Sequence, residues 1–182
     1  GERGFKIDVK GYEEAFKTHR KISAVSATKK FKSGLSEGTV ESARLHTATH
    51  LLLAALNKVL GGGIKQRGSN ITSERLRFDF NFDRKLTSEE LKKLEDIVNE
   101  KIKQGLEVKR EEMSLKEAKK KGFGGIFDSK YGNSVITYST GDFSKEICGG
   151  PQVGHTGEIG KFRIQKEEAT SAGVRRIRAV LE

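Results

Sequence analysis

Two histidines lie four residues apart in the stretch His46-Thr47-Ala48-Thr49-His50. If this stretch is helical, residues at i and i+4 share one face, so both imidazoles can reach the same metal ion. Zinc metalloproteases use this spacing, but there a glutamate follows the first histidine and acts as the general base. Thr47 stands at that position here, which argues against a protease. Two histidines at this spacing also fit an ordinary helix surface, so both interpretations stand at this point.

The chain has one cysteine, Cys148, which opens the loop Cys148-Gly149-Gly150-Pro151-Gln152-Val153. A single cysteine cannot form an internal disulfide, which fits a reducing compartment and a cytoplasmic protein. A lone cysteine can be a small buried hydrophobe. Beside two histidines, however, a thiolate completes a set of three ligands that suits zinc and leaves a fourth position open. This prediction requires the loop to fold back onto residues far earlier in the chain.

The chain is basic, with 35 lysines and arginines against 25 acidic residues and a net charge of +10. Such a balance favours a polyanionic partner, because bound lysines and arginines release the counterions of phosphates. It also fits a solvated surface, and charge alone does not decide between them. No apolar run approaches the roughly 20 residues needed to cross a bilayer, so no membrane partner is expected. The densest basic clusters are Lys119-Lys120-Lys121 and Arg175-Arg176 with Arg178.

One long helix and several strands are expected to position these residues. Apolar residues recur every three to four positions over 42–60, which predicts a helix that carries both histidines, with Ser42 as N-cap and Gly61 after its end. Strict alternation over 75–82 predicts a strand with Leu76, Phe78, Phe80 and Phe82 on its buried face.

The remaining pattern predicts an α+β fold in which a mostly antiparallel sheet packs against a few helices. Capping boxes at Thr87 and Ser114 open two further helices. Residues 1–36 are interpreted as a lead-in with a short helix at 12–22, and residues 37–182 as the main domain. Because the chain begins at Gly1 and has one methionine, Met113, a piece of a longer protein is favoured over a free-standing one. Further strands are expected at 106–113, 134–140, 144–148, 161–167 and 173–181.

Several motifs, in order from about Gly34 to the last residue, resemble the editing domain of alanyl-tRNA synthetases. This domain belongs to the threonyl and alanyl tRNA synthetase second additional domain family, which also includes free-standing alanyl-tRNA editing proteins. Two glycines after the cysteine and the Gly-Val-Arg-Arg-Ile ending point to the alanyl branch. The motifs are His46-Thr47-Ala48-Thr49-His50-Leu51-Leu52, Gln66-Arg67-Gly68-Ser69, Arg75-Leu76-Arg77-Phe78-Asp79-Phe80, Ser144-Lys145-Glu146-Ile147-Cys148-Gly149-Gly150, Thr156-Gly157-Glu158-Ile159-Gly160 and Gly173-Val174-Arg175-Arg176-Ile177.

The resemblance implies one zinc ion on His46, His50, Cys148 and a further histidine four residues after the cysteine. That fourth position is Gln152 here, and an amide oxygen is a poor zinc ligand beside imidazole. Three outcomes are open: zinc on three residues plus water, replacement by His155, or loss of the metal. Three-ligand zinc is favoured, because the family itself can carry a histidine at the position of His155.

The resemblance further implies a hydrolase that removes serine or glycine from mischarged tRNA(Ala) as the proofreading part of a synthetase. His46, His50, Cys148 and Gln66 are then the expected catalytic residues. Lys119, Lys120, Lys121, Arg175 and Arg176 are expected to bind tRNA. One alternative is a tRNA-binding module whose catalysis is weakened at Gln152, and another is a threonyl-type editing domain. Residues expected to bind the aminoacyl group are Gln66, Ser69, Asn70, Gly149 and Gly150.

Overall fold

The computed structural model describes residues 39–125 and 134–182, together with Gly11 and Glu14. The chain divides into two units, residues 1–32 and 33–182. Gly11 and Glu14 are helical. The rest of the helix predicted at 12–22, and the domain boundary predicted between residues 36 and 37, lie outside the described residues.

The first helix of the main unit, α1 (Val40–Leu60), carries both histidines as predicted. Its N-cap is Thr39, whose hydroxyl accepts the Ser42 backbone N–H at 3.1 Å. The prediction of Ser42 as N-cap is therefore wrong, and Ser42 lies buried one turn inside the helix. Gly61 ends the helix at φ 88°, a left-handed conformation that glycine adopts without strain.

A four-stranded antiparallel sheet, sheet I, packs against α1. Its inner face is apolar because Leu76, Phe78 and Phe80 alternate along one strand and Ile177 and Ala179 along its neighbour; all five are fully buried. In spatial order its strands are β1 (Gln66–Ile71), β2 (Leu76–Asn81), β8 (Val174–Leu181) and β7 (Phe162–Ser171).

A second helix, α2 (Ser88–Lys103), packs on α1 and on β7. It begins with the predicted capping box, since Thr87 and Glu90 each bond the other's backbone N–H. Its apolar residues Leu94, Val98 and Ile102 are buried in the core that α1 shares with sheet I.

A second four-stranded sheet, sheet II, contacts α1 through the strand that leads to Cys148. A short helix, α3 (Leu115–Lys120), follows the predicted capping box at Ser114 and covers a small apolar cluster around Phe123. In spatial order the strands of sheet II are β3 (Val108–Ser114), β5 (Ser134–Thr140), β6 (Ser144–Ile147) and β4 (Gly124–Gly125), and only the β4–β6 pairing is parallel.

The α+β fold with mostly antiparallel strands is confirmed. The sequence missed β1 because its residues do not alternate in polarity, and it missed β4 because that strand is two glycines. It also ended β7 too early, since the strand continues to Ser171. In the part of the chain that the structure describes, no helix has the length and apolarity of a membrane span.

Candidate metal centre and the adjoining cleft

Three side chains from distant parts of the sequence meet beside α1. The rings of His46 and His50 have centroids 4.9 Å apart, and Cys148 Sγ lies 3.3 Å from His46 Nε2. One ligand atom from each residue lies within 4.8 Å of the others. The structure thus brings together the three metal ligands predicted from the sequence.

The cysteine is held in place by the end of β6. Ser144, on that strand, directs its hydroxyl at the His50 carbonyl at 3.4 Å and so anchors the strand to α1. The Cys148 N–H donates to the Ile136 carbonyl at 3.0 Å, which continues the pairing with β5 one residue past the strand. The chain then turns through Gly149 and Gly150, and the Gly150 backbone hydrogen-bonds the Cys148 side chain.

Burial sets the protonation of this group. It lowers the pKa of His46 to about 4, and a hydrogen bond to the Pro151 carbonyl only partly opposes this. Burial, with the neighbouring His46, also lowers the pKa of His50 well below its usual value. Burial raises the pKa of the Cys148 thiol to about 11. At neutral pH the metal-free group therefore holds two neutral imidazoles and a protonated thiol.

This donor set fits zinc. Neutral imidazoles need lose no proton to bind a cation, and a nearby cation favours the thiolate form of cysteine. Tetrahedral zinc, with Zn–N near ~2.0 Å and Zn–S near ~2.3 Å, places ligand atoms roughly 3.5 Å apart. Because the three donors already lie within 4.8 Å, side-chain adjustments on the order of 1 Å would bring them to that spacing.

The amide of Gln152 lies on the other edge of the His46 ring. Its Nε2 is 3.0 Å from His46 Nδ1, whereas Cys148 approaches His46 Nε2. Gln152 therefore contacts the outer side of one ligand instead of the space between the three donors. His155 is not in the group either: it is exposed, and its backbone N–H donates to Glu158 at 2.8 Å.

Sequence reasoning missed the role of Thr47 in this arrangement. Its buried hydroxyl lies 2.7 Å from Gln152 Oε1 and 3.1 Å from the Ala43 carbonyl, and it accepts the Val153 N–H at 3.2 Å. Thr47 therefore ties the loop after Cys148 to α1. No local signal distinguishes it, because Thr49 is a second threonine between the same two histidines.

An open cleft of about 810 Å³ adjoins β6. Gln66 and Glu146 both line it. Glu146 lies on the same strand as the cysteine, two residues before it, and burial raises the pKa of its carboxyl to about 7. Sequence reasoning missed Glu146 because nothing in the local pattern distinguishes it from a solvated acid. The cleft does not include the three candidate ligands among its lining residues.

The residues predicted to bind the aminoacyl group do not all lie together. Gln66 Nε2 donates to the Ser69 hydroxyl at 2.9 Å, so these two share one side of β1. Asn70 pairs with Arg77, whereas Ser69 pairs with Phe78 on the inner face, so Asn70 lies on the opposite face of sheet I. The Gly149 position is open, with nothing within 4 Å of a Cβ placed there.

The basic residues predicted to bind tRNA lie in two different surroundings. Arg175 is paired with Glu167, and Arg176 binds both oxygens of Asp79 at 2.6 and 2.9 Å. Arg178 is 3.1 Å from Glu168. Lys119, Lys120 and Lys121 are exposed at the end of α3, and Lys119 lines the cleft. The three lysines, at the end of a helix that packs on sheet II, and the arginines of β8, in sheet I, therefore lie in different parts of the fold.

Part of the chain matches a family model. Residues 135–178 match the model described as "Threonyl and Alanyl tRNA synthetase second additional domain". This segment contains β6, the cysteine loop, all of β7 and the first five residues of β8. The chain belongs to this family, as its motifs predicted.

Relatives similar over the whole chain are named alanine–tRNA ligases. The chain is 53% identical over 180 residues to one from Borreliella afzelii and 54% identical over 180 residues to one from Borrelia hermsii. It is 48% identical over 181 residues to one from Treponema pallidum. The matches cover 99 to 100% of this chain and 30% of each relative, so the chain spans 30% of their length.

Proposed function

We propose that this chain hydrolyses the ester of mischarged seryl- or glycyl-tRNA(Ala), as the proofreading part of a cytoplasmic alanyl-tRNA synthetase. The observation that carries the proposal is the meeting of His46, His50 and Cys148 beside an open cleft. The family and the similarity to alanine–tRNA ligases support the choice of substrate.

The need for such an activity follows from the small size of alanine. Serine adds one hydroxyl and glycine lacks one methyl, and a small pocket rejects such analogues only about 10- to 200-fold. A second site that hydrolyses the wrong ester removes the serine or glycine that the first pocket has failed to reject. It gains selectivity by hydrogen-bonding the serine hydroxyl, because alanine would leave those buried polar groups without partners.

His46, His50 and Cys148 would hold the zinc ion, which when bound supplies a Lewis acid for an ester carbonyl or for water. Gln66 lines the cleft and donates to the Ser69 hydroxyl, so its amide is held where it can orient the aminoacyl group. The Gly149 N–H is better suited than Gly150 to stabilise a developing oxyanion, because the Gly150 backbone already bonds Cys148. Lys119 and its two neighbours would hold the phosphates of the acceptor end.

Deacylation assays test the proposal directly. Cys148→Ala should slow hydrolysis of seryl-tRNA(Ala) by more than the ~10–100-fold that follows loss of an outer partner of a metal ligand. His155→Ala is the matched control, because His155 lies outside the group, and it should retain activity. Hydrolysis that Cys148→Ala leaves unchanged would remove this residue from the mechanism.

A second candidate function is tRNA binding without hydrolysis. The observation that favours it is the position of Gln152, which leaves the group with three protein ligands. This alternative predicts tight, salt-sensitive binding of tRNA(Ala), little bound zinc and no hydrolysis of seryl-, glycyl- or alanyl-tRNA. Metal analysis of the purified protein together with the three substrates separates the two functions.

A further inference from the structure

The contacts around His46 determine which of its two ring nitrogens carries the proton. Nδ1 lies 3.0 Å from the Pro151 carbonyl, which can only accept a hydrogen bond. Nδ1 must therefore carry the ring proton, and Nε2 must be the unprotonated nitrogen. Nε2 is the atom that faces Cys148 Sγ, so in this tautomer the thiol donates to the nitrogen that would bind a metal ion.

The Gln152 amide has one orientation that agrees with this tautomer. With Nδ1 protonated, the amide must present its oxygen to Nδ1 and its NH₂ group to Thr47, a 180° rotation of the amide about its last side-chain bond. The Thr47 hydroxyl can then accept from Gln152 and from the Val153 N–H while it donates to the Ala43 carbonyl. In that arrangement every polar atom of the chain Thr47–Gln152–His46 has a suitable partner.

From this geometry we propose that Gln152 is a positioning residue: with the Pro151 carbonyl, it accepts the Nδ1 proton of His46 and so fixes the Nε2 lone pair toward the metal site. Gln152 thus acts on the metal through a ligand and does not bind the metal itself. Metal-binding histidines in general donate their second N–H to such an acceptor, which sets the tautomer and the ring orientation. Thr47 supports the role by holding the amide in place. The metal part of this inference rests on the proposed function, whereas the tautomer does not.

The tautomer can be measured without any metal. In the chelator-treated protein, ¹⁵N shifts of the histidine rings, assigned with a His46→Gln variant, should show His46 as the Nδ1–H form. Gln152→Leu, which keeps the side-chain bulk and removes both polar atoms, should shift the ring signals toward a mixture of tautomers. Thr47→Val should have the same effect to a smaller degree. A His46 that is Nε2–H in the unaltered protein overturns the inference, whether or not the protein hydrolyses any tRNA.

The affinity and absorption spectrum of Co²⁺, bound in place of zinc, show whether Gln152 is itself a metal ligand. Gln152→Leu should bind Co²⁺ about tenfold more weakly, the lower end of the range for removal of an outer partner, because the Pro151 carbonyl remains. Its visible d–d bands and thiolate charge-transfer band should match those of the unaltered protein, since the ligands are unchanged. Gln152→Glu, which keeps the acceptor, should retain affinity. Altered d–d bands in Gln152→Leu would make Gln152 a ligand and overturn the inference. If the unaltered protein binds no cobalt, the metal part of the proposed function fails, and the tautomer measurement alone then decides this inference.

Discussion

The half-buried carboxyl of Glu146 gives a quantitative test of the electrostatics beside the candidate metal centre. Burial raises its pKa to about 7, against an ordinary value of 4.5. Because the folded-state pKa is raised, the stabilising contribution is fully present below pH 4.5 and is lost as pH rises through 7. Between pH 5 and pH 7 the carboxyl is ionised in the unfolded chain but still largely protonated in the folded protein. Since one pKa unit corresponds to about 1.4 kcal/mol, the folded state loses about 2 kcal/mol of stability over this interval.

His46 changes the stability of the folded protein in the opposite direction between pH 5 and pH 7. Burial lowers its pKa from 6.5 to about 4, so its contribution is present above pH 6.5 and is lost as pH falls toward 4. From pH 7 to pH 5 that loss is also about 2 kcal/mol. The two residues therefore nearly offset each other, and His50 adds to the loss at acid pH. We expect the unaltered protein to lose stability only gradually over this range.

Replacement of Glu146 by glutamine removes one of the two opposing effects. In the metal-free protein, kept so by a chelator, urea unfolding of Glu146→Gln and of the unaltered chain should be compared at pH 5, 6 and 7. The free energy of unfolding of the variant, minus that of the unaltered protein, should increase by about 2 kcal/mol from pH 5 to pH 7. A difference that does not change with pH over this interval would refute the reasoning.

Glu90→Gln is a matched control of opposite sign. A hydrogen bond from Arg84 lowers the pKa of Glu90 to about 2, so its stabilising contribution is present above pH 4.5 and is lost as pH falls toward 2. The difference between Glu90→Gln and the unaltered protein should therefore change mainly below pH 5. Glu146 on β6 and Glu90 at the start of α2 would thus differ in the pH range over which replacement by glutamine changes the free energy of unfolding.

Four further outcomes are expected. Phe78→Ala should lower the free energy of unfolding by about 3–5 kcal/mol in urea titrations, because Phe78 is fully buried; a loss below about 1 kcal/mol would contradict its place in the core. Thr87→Ala should cost about 1 kcal/mol in the same titrations through loss of the capping box, and no change would contradict it. Changing Lys119, Lys120 and Lys121 to alanine should make tRNA affinity less sensitive to salt, by about one unit of the log–log slope for each phosphate that is no longer bound; an unchanged slope would remove them from the interface. Chelation of zinc should abolish deacylation while the far-ultraviolet circular dichroism stays unchanged, and unfolding on chelation would show a structural ion instead.

Patterns among residues close in the sequence predicted the helices and strands whose positions depend on those residues alone. The spacing of apolar residues placed α1, and the alternation from Leu76 to Phe80 placed β2, because one face of each element is buried. The capping boxes at Thr87 and Ser114 each depend on residues three apart, so both helix starts were correct. Thr39 was missed as N-cap because Ser42, one turn later, is an equally suitable residue type.

The contacts that shape the candidate site depend on packing between distant segments. No local pattern shows that Thr47 meets Gln152, or that the Glu146 carboxyl is half-buried while neighbouring Lys145 pairs with Asp142. The meeting of Cys148 with the histidines was predicted only because zinc chemistry and the family resemblance required it. The arginines of β8 are a second example: their charge predicted phosphate binding, and only the register of β8 with β2 and β7 reveals the acids beside them.

The protonation of the group determines what must change when a cation binds. Charged imidazoles or a thiolate buried there without a cation would cost several kcal/mol, and the shifted pKa values of His46, His50 and Cys148 keep all three side chains neutral at pH 7. In that state the Cys148 thiol can donate to His46, which holds the two residues together. The apolar core packed around Phe78 and Leu52 supplies the burial that holds α1 and sheet I together. We therefore expect the fold to persist when zinc is removed, and a cation that binds would replace the thiol proton.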